Sequence, residues 1–226
     1  MRPVNALTST LRRVLAVPSV LTVGVVGAGS AWLAVELARG GLGATESFLG
    51  EVRHGSGLFA GLLVLSLAEP LELGRDARQG LLTLRVARGG SPGVGARWLG
   101  LVLATLPAVV AAALAAGGVG EPWALLLGLG VLAAGGLMLG AFLDRGLLVP
   151  ALWGLALAGH LRPWLATTAW GRPVSWLLPD LGSLSAGIGF EVLGPALLWI
   201  VGALCVAHAR VLSVAARGRW PSASLA

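Results

Sequence analysis

Lysine and tyrosine are absent from the 226 residues, cysteine occurs once, and charged residues make up only 12% of the chain. Each absence excludes a class of chemistry. Without lysine the G-x-x-x-x-G-K-[ST] phosphate loop cannot be present, so any ATP energy this protein uses is bound by another chain. A single cysteine, Cys205, rules out an intramolecular disulfide framework and a cysteine-rich metal site. It stands in an apolar run and reads as a small packing residue. The histidines, His54, His160 and His208, are dozens of residues apart and form no metal-ligand pattern. What remains is 56% hydrophobic, with 35 glycines and a mean hydropathy of +0.86, a balance that places the chain in the integral membrane class. The +6 net charge does not indicate nucleic acid, because no soluble basic domain is left once the apolar runs are set aside.

A hydrocarbon core about 30 Å thick needs about 20 apolar residues per helix. On that basis the chain is expected to be all-α, a single transmembrane domain over residues 1–226 with six helices: 14–38, 55–73, 98–117, 122–143, 146–161 and 191–209. Glu69 and Pro70 interrupt the second, and the fifth is short. Trp98, Trp123 and Trp220 fall near span ends, where an aromatic with a polar edge suits the membrane interface. With both termini cytoplasmic, twelve arginines lie inside and only Arg39, Arg53, Arg162 and Arg172 outside, so the positive-inside rule sets that orientation. The first apolar run, about 25 residues, exceeds the 7 to 15 of a signal peptide and is expected to be retained.

Glycine-rich runs inside such helices carry a packing meaning. "VVGAGSAW" (25–32) contains a G-x-G, but no strand and amphipathic helix surround it; Gly24 with Ala28, and Gly27 with Ala31, instead form small-x-x-x-small pairs for close helix approach. The acidic residues Glu36, Glu69, Glu72 and Glu191 fall toward span ends, and none at a midplane where a proton relay would want one. An intramembrane serine hydrolase would need a nucleophile and a base at one depth, for which Ser56 and His160 are the candidates.

One connector breaks the apolar pattern. Residues 69–100, "EPLELGRDARQGLLTLRVARGGSPGVGARWLG", hold Arg75, Arg78, Arg85, Arg88 and Arg97. As a helix over 73–88, it would set Leu73, Ala77 and Leu84 on one side and Arg75, Arg78 and Arg85 on another, an amphipathic segment lying on the cytoplasmic membrane surface. Each arginine near anionic lipid contributes about 1 kcal/mol of anchoring.

The order of residues in this connector resembles the first cytoplasmic loop of type 2 ABC transporter permeases. Asp76 matches the acid of that loop, Gly80 its glycine, Leu82 its leucine, Arg88 its first arginine, Ser91 its serine, and Arg97, Trp98 and Gly100 the start of the third helix. Leu81 stands where the family has threonine, Gly89 and Gly90 where it has Pro-Val, and Pro92 where a second arginine is expected. A second similarity lies in Gly159-His160 and in "WLLPDL", with Trp176, Pro179 and Asp180, which resemble the elements preceding the last helix in one branch of the family. Residues 162–190 hold Trp164, Trp170 and Trp176 with Pro163, Pro173 and Pro179, which fits short interfacial pieces broken by proline. Asp180 can serve equally as a helix N-cap or turn residue.

The resemblance implies a permease subunit of an ATP-driven transporter in a bacterial inner membrane, most simply an exporter working by alternating access. The connector would be a coupling helix, with Arg75, Asp76, Arg78, Gly80, Leu82, Arg85 and Arg88 facing a separate ATPase subunit that holds ATP and magnesium. This chain would carry no cofactor itself. It would pair with a second copy or a sister permease, and would contact lipid. The haem exporter B subunit is a related alternative within the same class. The residues 162–190 would fold back into the outer leaflet as a re-entrant segment before the last helix.

Overall fold

The computed structural model describes residues 3–15, 18–41, 45–78, 93–118, 122–185 and 190–216. Among them every regular element is helical. In chain order these are α1 (Pro3–Leu15), α2 (Pro18–Gly41), α3 (Glu46–Leu67), a 3-10 turn (Glu69–Leu71), α4 (Leu73–Arg78), α5 (Val94–Ala115), α6 (Pro122–Gly140), α7 (Arg145–His160), α8 (Arg162–Thr167), α9 (Gly171–Ser175), α10 (Leu181–Ser185) and α11 (Phe190–Ala216).

Three of the described helices are long and apolar enough to cross a membrane: α5, α6 and the stretch Glu191–Ala216 of α11. They are not equivalent. The apolar window of α6 is 78% buried inside the protein, whereas that of α11 is 22% buried. A helix apolar on every side belongs in an interior, and α6 receives neighbours all round it: α3, α5, α7, α10 and α11 pack against it. Its glycines admit large side chains, with Leu58 at Gly128, Trp98 at Gly130, Trp199 at Gly135 and Leu71 at Gly136. On one flank α2, α3 and α5 pack together, with Ala31, Val35, Ala38, Leu49, Ala60, Ala112 and Ala116 as their shared core. On the opposite flank α11 buries Ala196, Ile200, Ala203, Ala207 and Val211 at helical spacing and exposes Leu197, Leu198 and Val201. The exposed apolar faces of α2 and α11 are those of a chain whose surroundings are not water.

The helix limits differ from the expected spans at informative places. Val14 belongs to α1, a separate helix; Pro18, with no N–H to donate, occupies the first position of α2. α3 begins at Glu46 rather than Gly55, through the charged stretch "ESFLGEVRH" that apolar counting passes over, and Thr45 caps it by accepting a hydrogen bond from the Phe48 N–H at 3.4 Å. It ends at Leu67, because Pro70 two residues beyond Ala68 cannot continue the ladder and the chain turns through 69–71 instead. Leu73 therefore starts α4 and does not close a span. The expected connector helix is described only as far as Arg78; Gly80, Leu82, Arg85 and Arg88 lie outside the described residues, as does Trp220.

Candidate functional site

At one end of the bundle, α1, the 3-10 turn, α4, and the first turns of α5 and α7 converge. The turn packs on α6 so closely that a side chain at Gly140 would collide with the Leu71 carbonyl oxygen, and one at Gly74 would lie 3.1 Å from the Gly140 carbonyl oxygen. α4 is thus seated on the end of α6 by backbone contact. Two carboxylates stand at the start of α4, Glu72 between the 3-10 turn and the helix and Asp76 in its first turn, joined by a backbone hydrogen bond in which Asp76 N–H donates to the Glu72 carbonyl at 3.1 Å. Both are buried.

Two unpaired carboxylates in such a place would be costly, and buried charge is tolerated only where it is partnered. Guanidinium groups from four directions supply the partners. Asp76 Oδ2 lies 2.6 Å from Arg97 Nη2, with Arg97 itself buried, and 3.9 Å from Arg13 Nη1 of α1. Arg97 also donates to the Pro70 carbonyl at 3.5 Å, tying the start of α5 to the turn. Glu72 holds Arg75 through Oε2 at 3.2 Å and Arg145, at the start of α7, through Oε1 at 3.3 Å.

Three positions at the start of α5 then contact three different elements. Arg97 pairs with Asp76, the Trp98 indole N–H donates to the Gly130 carbonyl of α6 at 2.8 Å, and Gly100 is where α1 crosses. A methyl group at Gly100 would lie 2.8 Å from Thr10 Cγ2. The crossing face of α1 is built from Leu7, Thr10, Leu11 and Val14, spaced i, i+3, i+4 and i+7, while Arg12 and Arg13 are exposed. That spacing is visible in the amino-acid sequence, but a search for 20-residue apolar runs does not find a 13-residue amphipathic helix. Arg75 lies three residues from Glu72, but the contacts of Arg13 with Asp76 and of Arg145 with Glu72 had no signal in sequence spacing, because the partners are distant parts of the chain.

The opposite end is organised differently. There Arg53 donates through Nε to the Ala116 carbonyl at 3.2 Å, placing a cation at the C-terminus of α5 where the helix dipole favours it. Beyond α7 the chain makes the three short helices α8, α9 and α10. Arg162 reaches Asp180 Oδ2 at 2.5 Å and donates through Nε to the Ser175 carbonyl at 2.8 Å, stapling both ends of the segment. Asp180 accepts through Oδ1 from the Ser183 N–H at 3.0 Å, the geometry of an N-cap on α10. α10 lies against α3, α6 and α7 and buries Leu181 and Leu184. Gly159 gives it room: a methyl there would be 3.0 Å from the Pro179 carbonyl oxygen. The Trp199 indole N–H donates to the Leu177 carbonyl at 3.1 Å. Trp164, Trp170 and Trp176 point outward, Trp176 being 81% exposed, and the first two meet edge to face at 6.5 Å.

Among the described residues no group of His, Cys, Asp and Glu is placed to hold a metal ion. Ser56 lines a groove of about 610 Å³ between α2 and α3 with Ser30, Ala31, Ala34, Val52, Gly55 and Phe59, whereas His160 is exposed at the end of α7. Among the described residues no hydrogen bond joins them. No family model, no curated protein and no solved structure matches this chain.

Proposed function

We propose that this protein is the transmembrane permease subunit of an ATP-binding cassette transporter of the exporting kind, in which α2, α3, α5, α6, α7 and α11 cross a bacterial inner membrane with both termini cytoplasmic. The observation that carries this reading is the buried pair of Asp76 and Arg97 at 2.6 Å. These are two of the positions on which the resemblance to type 2 permeases rests, and they bracket the basic connector on either side. Joined to each other, to α1 through Arg13 and to the end of α6 through the backbone at Gly74, they form a stiff base for the connector. A displacement imposed on the connector by a partner is then passed to α5 and α1 instead of being absorbed in a loose loop. A conformational change driven by a partner requires contacts that differ between two states, and the connector arginines are complementary to an acidic surface on a nucleotide-binding subunit. Two permease chains, either identical or sisters, would share the pathway. The apolar lining of these helices fits an apolar or amphipathic cargo.

The test is to look for a Walker-motif ATPase in the neighbouring reading frames, co-purify its product with this chain and follow ATP hydrolysis in lipid nanodiscs; the absence of any ATPase that binds the chain counts against the proposal. The complex is expected to form and hydrolyse ATP, and Arg78→Glu with Arg85→Glu is expected to abolish co-purification or uncouple hydrolysis from transport. An ATPase that neither binds the native chain nor responds to the double variant would sink the proposal. Ser56→Ala is expected to leave transport unchanged.

A further inference from the structure

The two acids of the charged end grip their partners with very different firmness. Asp76 and Arg97 are both buried, so breaking that pair strands a charge away from solvent. Arg145 is 47% exposed at its side chain, and when it leaves, the buried Glu72 still has Arg75 at 3.2 Å, so this pair opens without stranding a charge. The helix that Arg145 begins is also lightly held for its length. Only Leu148, Leu152 and Gly159 of α7 are buried. Its outer part has further fastenings, since the Trp153 indole N–H donates to Ser66 Oγ at 3.0 Å, Trp153 meets Phe59 edge to face at 5.5 Å, and Gly159 abuts Pro179. Its inner part, 145–149, has the Glu72 pair and the Leu148 side chain. Between the two parts stands Pro150, which cannot donate to the carbonyl four residues earlier and removes one rung of the helix ladder. A methyl at Gly146 would meet nothing within 4 Å, and Leu147 is exposed. Beneath this turn lies a narrow crevice, about 10 Å³ and so scarcely the size of one water, bordered by Leu65, Ser66, Leu71, Glu72, Leu148 and Leu152 among others.

We propose that residues 145–149 of α7 form a hinged flap that swings about Pro150, latched closed by Arg145 on Glu72, and that its opening gives access to the space between α7 and the turn at 69–71. Asp76, Arg97 and the end of α6 form the fixed frame against which the flap moves. The inference goes beyond the permease reading, because it concerns a motion of this chain alone.

Double electron–electron resonance on the full chain in lipid nanodiscs tests it, with the exposed Cys205 replaced by serine. One label pair, Leu147→Cys with Leu99→Cys, spans the latch. The other, Leu157→Cys with Leu114→Cys, spans the outer part of α7. Arg145→Ala is expected to broaden or lengthen the inner distance by about 5 Å, on the scale of one helical turn, and to leave the outer distance unchanged. Glu72→Gln, which breaks the same pair from its other side, is expected to do likewise, and Arg145→Lys to retain the native distribution. Pro150→Ala added to Arg145→Ala restores the missing rung and is expected to narrow the inner distance again. An inner distance indifferent to both Arg145→Ala and Glu72→Gln, or inner and outer distances moving together, overturns the latch. Broadening that persists with Pro150→Ala overturns the hinge. No ATPase is needed, so these outcomes are read separately from the fate of the permease proposal.

Discussion

The two ends of the bundle are both rich in arginine and are held together by opposite means. At the end formed by α1, α4 and the starts of α5 and α7, guanidiniums from distant parts of the chain, Arg97 buried and the others half-exposed, meet two buried carboxylates. At the other end, Arg162 serves its own neighbourhood, binding Asp180 and Ser175 within one short segment, and Arg53 meets a helix terminus. The first arrangement makes several helices depend on one another. The second lets the tryptophan-bearing segment be a separate unit resting on the bundle through α10.

That contrast can be broken most severely at Asp76. Asp76→Ala leaves Arg97 buried without its carboxylate and is expected to cost about 3–5 kcal/mol, seen as a large fall in melting temperature in detergent. Combining it with Arg97→Met removes the stranded charge and is expected to recover most of the loss. If the double variant is as unstable as the single one, the pair is not the source of the stability. Gly140→Ala is the next largest, about 1–3 kcal/mol from overpacking against the Leu71 carbonyl, again measured by thermal unfolding. At the other end, Asp180→Ala removes the Arg162 partner and the cap on α10 for about 1–2 kcal/mol. Limited proteolysis within 162–185 is expected to rise while the bundle melts near its native temperature, and a melting loss equal to that of Asp76→Ala would erase the distinction between the two ends. Smallest of all, Trp176→Ala is expected to change melting by no more than about 0.5 kcal/mol, since the ring faces outward.

Much of the architecture was legible as apolar length. α5, α6 and α11 stand out in the chain because unbroken runs of Leu, Val, Ala and Gly leave few alternatives in lipid. The limits of α3 were not, because Glu46, Glu51 and Arg53 interrupt the apolar count although the helix continues through them. α1 escaped for the opposite reason: Val14 was absorbed into the neighbouring run, and the i, i+3, i+4, i+7 face of Leu7, Thr10, Leu11 and Val14 is too short for a span. In the charged cluster, Asp76 and Arg97 could be picked out by their order around the connector. Their pairing could not, since it depends on how α4 is seated on α6. Arg145 looked like one more boundary charge, and nothing local distinguishes it from Arg172; only the fold brings it to Glu72.

The crossing of α1 over Gly100 has a consequence for how the protein is made. Thr10 and Arg13 find their seats on α5 and α4, and α5 follows α1 by about 80 residues, so at ~5–20 residues per second α1 waits several seconds after its synthesis before its resting place exists. During that interval α1 can reach only α2 and the 3-10 turn, and the face carrying Leu7 and Thr10 lacks the cover that Gly100 later gives it. The seating of α1 on α5 is therefore expected to trail the synthesis of α1 itself, and a side chain at Gly100 would obstruct it at Thr10.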